Sequence, residues 1–123
     1  MACILIDLEN EKGTVLEGIS LLNLSKNDEI VIFYSNSVPY ITMELHKEFE
    51  TIKAKKNYIK VESGKANSLD FQLSTYLGFC IQKNPKNNYY IVSKDHDFDC
   101  VCLFWQNRNI NVKRIDRFCY CKV

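Results

Sequence analysis

The sequence of 123 residues has no apolar run near the roughly 20 residues that a membrane span needs. The apolar run at its N-terminus is too short for a signal peptide and meets an acid at Asp7. The formal net charge is only +1, so a surface that binds polyanions must be a local patch. Internal repeats and low-complexity segments are absent as well. We therefore expect a cytoplasmic protein with no membrane partner.

The overall composition is that of an ordinary globular domain. Hydrophobic residues make up 46% of the chain and charged residues 25%, which argues against disorder. A chain of this length can bury a substantial core as one unit. We expect a single domain over residues 1–123, in which residues 116–123 form an edge element or a tail.

Cysteine is abundant for a chain of this length, with six residues. Without a secretory signal a disulfide framework is not expected. The pairs Cys100/Cys102 and Cys119/Cys121 have C-x-C spacing, a poorer match to structural zinc than C-x₂₋₄-C. Apolar neighbours favour buried thiols, as at Cys3, Cys80 and Cys102. A zinc site and an oxidation-sensitive tail at Cys119 and Cys121 remain as alternatives.

Strand-like and helix-like patterns alternate along the chain. The predicted strands are Ala2–Leu8, Glu29–Ser35, Tyr58–Val61, Tyr89–Ser93 and Asn111–Ile115. The predicted helices are Thr14–Leu24, Val38–Lys53, Ser68–Gln82 and Asp99–Asn107, with Pro39 in the first turn of the second. Continuous apolar runs suit strands covered on both faces. The order predicts an α/β fold with a mostly parallel sheet and right-handed crossovers.

Three aspartates, Asp95, Asp97 and Asp99, lie within five positions directly after the fourth predicted strand. Neighbouring carboxylates repel one another, and a divalent cation would relieve that repulsion. Sites rich in carboxylate oxygen suit Mg²⁺ or Mn²⁺. The alternative role, capping the next helix, needs only one of the three acids. His96 among them is more typical of a solvated loop than of a metal ligand.

Two further acids are expected near this cluster. Asp7 ends the first strand and Asp95 follows the fourth, and ligands of parallel α/β sheets bind at the carboxyl ends of strands. Asp70 lies in the first turn of a helix for which Asn67 or Ser68 could be the N-cap, so it could simply complement the helix dipole. Because that helix directly precedes the fourth strand, its N-terminus returns towards the same edge.

Three blocks of the sequence together resemble PIN-like domain nucleases of the PIN/NYN superfamily. They are Ile4–Asn10, Gly64–Leu73 and Tyr90–Asp99, and the resemblance covers roughly residues 3–115. It implies a three-layer α/β/α sandwich with about five strands. It also implies a metal-dependent endoribonuclease that hydrolyses phosphodiester bonds of single-stranded RNA with Mg²⁺ or Mn²⁺.

The resemblance assigns roles to the acids by position. Asp7, Asp70 and Asp95 match the principal catalytic and metal-binding carboxylates, and Asp99 matches the fourth acid. Asp97 stands where glycine is commoner in the family, so it is a further candidate metal ligand. Which of Asp97 and Asp99 points inward stays open.

Other residues of the three blocks are expected to support the site. Glu9 and Asn10 close the first block, and Ser93 precedes the acids of the third. Lys65 and Lys94 are the predicted contacts to substrate, since basic side chains beside an acidic metal site can hold a phosphate backbone.

Two other functions use similar sequence features. A receiver-like domain would need a phosphate-accepting aspartate after the third strand, where this chain has none. A non-catalytic PIN-like module for RNA or protein binding would be marked by loss of the acids, yet all four are present. Family members include toxins neutralised by an antidote, RNA-processing enzymes and phage-defence proteins, and many small ones are homodimers. A homodimer and an antidote or complex partner therefore remain open.

Overall fold

The computed structural model describes residues 1–8, 18–35, 41–62 and 65–118. Within these ranges the chain forms five strands, one 3₁₀ helix and three α-helices. The strands are β1 (Ala2–Asp7), β2 (Glu29–Tyr34), β3 (Lys55–Lys60), β4 (Asn88–Val92) and β5 (Val112–Ile115). The 3₁₀ helix is Ile19–Leu22, and the α-helices are α1 (Met43–Glu50), α2 (Ser68–Lys83) and α3 (Phe98–Gln106). None of these helices has the length and apolar content needed to span a membrane.

The five strands form one sheet in the order β3-β2-β1-β4-β5, and every neighbouring pair is parallel. The chain builds outward from β1 on one side and then returns to add β4 and β5 on the other. The order therefore reverses between β1 and β4, which is where open parallel sheets bind ligands. The prediction of a mostly parallel sheet of about five strands is confirmed.

Both faces of the sheet are covered. On the central strand, Ile4 and Ile6 pack in a core with Phe49 of α1, whereas Cys3 and Leu5 pack in a second core with α2 and α3. Alternate side chains of a strand point to opposite faces, so a strand buried on both faces is apolar throughout. The result is the expected three-layer α/β/α sandwich.

The helix predicted over Thr14–Leu24 is wrong within its described part. Only one 3₁₀ turn forms there, because left-handed backbone flanks it at Gly18, with φ of 82°, and at Asn23, with φ of 51°. Residues 9–17 lie outside the described residues.

Of the other helices, α2 and α3 agree with prediction to within one residue at each end, and α1 is shorter than predicted. The second helix begins at Met43, where the Thr42 side chain accepts a hydrogen bond from the Leu45 amide at 3.2 Å. Pro39 lies outside the described residues. Asn67, one of the two predicted candidates, is the N-cap residue of α2, but with φ of 64° its side chain makes no capping hydrogen bond.

β3 begins at Lys55, three residues before the predicted start at Tyr58. It is an edge strand, and its exposed lysines hide the apolar signal on which the prediction relied. At the other end of the chain, Phe118 is buried, while residues 119–123 are not among those described.

The described cysteines are all free thiols. Cys3 and Cys102 are buried, as predicted, but Cys80 is only partly buried and Cys100 is exposed. The prediction of burial at Cys80 is therefore wrong, because this side chain lies on the wall of an open cavity. Cys119 and Cys121 lie outside the described residues.

Candidate active site

The point where the strand order reverses brings together Asp7 and Ser93. Continuing the alternation from Leu5 and Ile91 places both side chains on the face that α2 covers. Asp7 is 2% exposed and Ser93 1%, and the Ser93 hydroxyl donates a hydrogen bond to Asp7 Oδ2 at 2.8 Å. Because a buried carboxylate is costly unless it is hydrogen-bonded, this contact helps to fix Asp7 at the edge of the core.

The turn after β4 is held by its own side chains. Ser93 Oγ accepts a hydrogen bond from the Asp95 amide at 3.1 Å, and Asp95 Oδ1 accepts one from the Asp97 amide at 2.9 Å. The same hydroxyl thus connects the ends of β1 and β4. Asp95 is partly buried, whereas Asp97 is exposed at the start of α3.

Asp70 joins this group from the first turn of α2. Burial, together with the negative charges of Asp95 and Asp7, raises the pKa of Asp70 to about 6. A hydrogen bond between the carboxyl groups of Asp70 and Asp95 contributes to the same shift, and so does the charge of Asp97. Two carboxyl groups can share such a bond only when one of them carries a proton. Asp70 and Asp95 therefore compete for one proton. The structure thus places the Asp70 carboxyl within electrostatic reach of Asp95 and Asp7, and the catalytic role of the three acids stays a prediction.

Asp99 has different contacts. Its Oδ1 accepts a hydrogen bond from Arg114 Nε at 2.7 Å, and its Oδ2 lies 3.2 Å from His96 Nδ1. Hydrogen bonds with Arg114 and His96 hold the pKa of the Asp99 carboxyl below its usual range. The fourth acid of the sequence-based assignment is therefore neutralised by a cation of the protein itself, and its role as a metal ligand stays a prediction.

Arg114 connects this second network to the turn. Its Nη1 donates to the Ser93 carbonyl at 3.0 Å and also to Asp116, while its side chain is only 11% exposed. The register of β4 and β5 places Arg114 opposite Ile91, on the face covered by α3, which explains how it reaches Asp99. No sequence pattern indicates this role, because Arg114 lies 15 positions from Asp99 along the chain.

Of the remaining predicted residues, the structure describes only some. Glu9 and Asn10 lie outside the described residues. Lys65 and Lys94 are exposed, Lys65 before α2 and Lys94 between Ser93 and Asp95. Both lysines thus flank the acids in the chain, as a contact to substrate requires.

The donor set suits a hard divalent cation by its chemistry, because it consists of carboxylate oxygens. Within the described ranges, no three histidine, cysteine or acidic side chains are close enough to enclose an ion by themselves. Mg²⁺ commonly takes one or two protein carboxylates and completes its shell with water and substrate phosphate. Asp7, Asp70 and Asp95 fit that open type of site rather than a closed cage.

Comparison with protein families gives one result for this chain. The model of the PIN domain matches residues 1–115. The chain belongs to the PIN domain family. Neither a curated protein nor a solved structure gives a match.

PIN domains are generally nucleases, so a nuclease-type function is indicated here. The matched residues include the ends of β1 and β4 and the first turn of α2, which carry the acids described above. PIN domains also typically use divalent metals, in agreement with the oxygen-rich donor set.

Proposed function

We propose that this PIN domain is a metal-dependent endoribonuclease that hydrolyses phosphodiester bonds of single-stranded RNA with Mg²⁺ or Mn²⁺. The observation that carries the proposal is the convergence of Asp7, Asp70 and Asp95 where the strand order reverses. This arrangement raises the pKa of Asp70 to about 6, so the site concentrates negative charge beyond what its own residues neutralise.

A bound divalent cation supplies two things to phosphodiester hydrolysis, an acidified water and stabilisation of charge on the attacked phosphate. The protein supplies the positions. Ser93 donates to Asp7 and accepts from the Asp95 amide, so one buried hydroxyl orients both strand ends. Such preorganisation matters because a misplaced ligand loses most of its effect on the transition state.

Asp70 is the acid of this group that can change its protonation state near neutral pH. Below about pH 6 its proton bridges towards Asp95, and above that pH it is a further anionic oxygen donor beside Asp7 and Asp95. No protein nucleophile is required, and no His-based acid and base pair is required either, in accord with the exposure of His46 and His96. Lys65 and Lys94 are suited to hold the RNA backbone on either side.

The test uses the full chain and a labelled circular single-stranded RNA. Because a circle has no ends, its conversion to a linear product identifies endonucleolytic cleavage. We expect cleavage with Mn²⁺ or Mg²⁺, none with EDTA, and losses of at least about 100-fold for Asp7→Asn and for Asp95→Asn. The same sequence as a duplex and as DNA tests the preference for single-stranded RNA.

The matched control is Glu50→Gln, which removes an exposed acid at the far end of α1 and should leave cleavage unchanged. Cleavage that survives EDTA, or both aspartate substitutions, rules out the metal mechanism. Folded protein that binds the RNA without cleaving it under any metal condition would instead identify a non-catalytic module.

A further inference from the structure

A polar cavity lies at the edge of the sheet opposite to the acids of the candidate active site. It has a volume of about 220 Å³ and is formed where the amino ends of β1, β2, β3 and β4 meet the last turns of α2. Its wall includes two thiols, Cys3 and Cys80, together with Glu29, Tyr76 and Lys83. The proposed nuclease mechanism uses none of these residues.

The two thiols lie at the interface between β1 and α2, where both line the cavity and Cys80 packs against the core that contains Cys3. Cys3 is 3% exposed and Cys80 is partly exposed. The wall that carries Cys80 is fixed by Tyr89, whose hydroxyl donates to the carbonyls of Cys80, at 2.9 Å, and of Asn84, at 2.7 Å. These two hydrogen bonds hold the backbone of Cys80 in place against β4.

The surroundings shift the pKa values of the two thiols in opposite directions. The hydrogen bond with Cys80, followed by burial, raises the pKa of Cys3 well above its usual range. The hydrogen bond with Cys3 lowers the pKa of Cys80, with further help from Tyr76 and Lys83. Glu29 Oε1 lies 3.8 Å from Cys3 Sγ and is a second acceptor for that thiol. The more accessible sulfur is thus the more nucleophilic one, and the buried sulfur keeps its proton.

We propose that Cys3 and Cys80 form an oxidation site, in which a hydroperoxide converts the pair to a disulfide that joins β1 to α2. The geometry assigns the roles. Both thiols line the cavity through which a small oxidant can enter, and Cys80 is the more exposed of the two. A buried cysteine that served only as a small apolar residue would not require a second thiol or a neighbouring cation.

The chemistry proceeds in two balanced steps. The Cys80 thiolate attacks one peroxide oxygen, the O–O bond breaks, and the leaving oxygen takes up a proton to become an alcohol, or water when the oxidant is hydrogen peroxide. Cys80 is then a sulfenic acid. The Cys3 sulfur attacks the Cys80 sulfur, the S–O bond breaks, and the departing hydroxide leaves as water with the Cys3 proton. Two thiols are oxidised to one disulfide, and one hydroperoxide is reduced.

The experiment treats the reduced, metal-free full chain with hydrogen peroxide, blocks the remaining thiols by alkylation and maps the peptides without reduction. We expect a linked peptide pair containing Cys3 and Cys80, a loss of two hydrogen atoms in the intact mass and full reversal by dithiothreitol. Since the link closes the long loop between residues 3 and 80, the oxidised protein should also unfold several degrees higher than the reduced protein.

Two variants make the test specific. Cys80→Ser should abolish the link and leave Cys3 as an unmodified thiol, because the buried thiol reacts only through its partner. Cys100→Ser removes an exposed thiol, whose sulfur is 3.1 Å from the Asp97 carbonyl, and should leave the link unchanged. The proposal is overturned if Cys80 proceeds to sulfinic acid without a cross-link, or if peroxide links only other cysteines. RNA cleavage by the reduced protein does not enter this test, so the two proposals can fail separately.

Discussion

Asp70 and Asp99 lie in the first turns of two neighbouring helices, α2 and α3, yet their carboxyl groups have opposite electrostatic surroundings. Burial and the charges of Asp95 and Asp7 raise the pKa of Asp70 to about 6. Arg114 and His96 hold the pKa of Asp99 below its usual range. A helix N-terminus favours an acid in both places, so the helix alone does not decide what the acid does.

The difference arises from what each helix faces. The start of α2 meets the ends of β1 and β4, where Asp7 and Asp95 bring further negative charge. The start of α3 meets β5, which contributes Arg114. An acid whose charge is already balanced by a fixed guanidinium has little to gain from a metal ion, whereas one forced towards its neutral form has much to gain. We therefore expect Asp70 to act on the cation and Asp99 to position Arg114.

The largest effect should separate the two acids by activity. We expect Asp70→Asn to reduce RNA cleavage about 100-fold and to weaken Mn²⁺ binding, because it removes an anionic oxygen donor. Asp99→Asn should cost at most about tenfold in cleavage and should leave Mn²⁺ affinity unchanged, because it acts only through Arg114. Cleavage rates and Mn²⁺ titrations of the two variants, compared with Glu50→Gln, make the measurement.

Equal losses for the two variants in both assays would contradict this division. Asp99 would then belong to the metal site, as the resemblance first implied. The contacts of Arg114 would have to rearrange to release it.

A smaller effect should appear in stability when Arg114 is removed. Arg114→Ala removes the charged donor that reaches the Ser93 carbonyl, and the loss of a hydrogen bond to a charged group at this turn costs about 1–3 kcal/mol of the free energy of unfolding. Lysine should restore only part of this, since it lacks the planar fork that reaches Ser93 and Asp99 together. Urea unfolding in EDTA measures the change.

Arg108→Ala is the matched control for this loss. Arg108 also donates to a backbone carbonyl, that of Phe104 at 2.8 Å, but on the exposed surface of α3. We expect a change within about 0.5 kcal/mol there. A loss at Arg108 as large as that at Arg114 would mean that burial of the turn is not the cause.

The fold was largely predictable because its signals are local. Continuous apolar runs mark β1, β2 and β4, and alternation with amphipathic helices implies a parallel sheet. The boundaries that failed are those where tertiary context decides. The edge strand β3 shows mostly lysines and polar groups in its sequence, and the 3₁₀ helix is bounded by left-handed residues that periodicity does not report.

The proximity of the three acids could be predicted from the topology, whereas their role in a site stays a prediction. Asp7 and Asp95 follow apolar strands, and Asp70 follows from the direction of the helix before β4, so simple topology brings them to one edge. The pairing of Asp99 with Arg114 joins residues from α3 and β5, and no spacing rule connects them. The thiol pair was hidden for the same reason, because Cys3 and Cys80 meet only when β1 packs against α2.

The smallest expected effect concerns the pH dependence of stability and tests Asp70 alone. The native state keeps a proton on Asp70 up to about pH 6, whereas the unfolded chain releases it near pH 4, the usual pKa of an aspartate of about 3.9. Between these values the native state binds more protons, so the free energy of unfolding of the metal-free protein should fall as pH rises. For this partly exposed group we expect a fall of about 1 kcal/mol.

Comparison of wild type with Asp70→Asn cancels the titration of all other groups. In EDTA the variant should gain about 1 kcal/mol on wild type between pH 4 and pH 7. Millimolar Mg²⁺ at pH 7 should make wild type more stable than Asp70→Asn, because only wild type has the carboxylates of both Asp70 and Asp95 to bind the ion. A difference between wild type and Asp70→Asn that does not change with pH would mean that the Asp70 carboxyl is already ionised beside Asp95, and the contrast with Asp99 would lose its electrostatic basis.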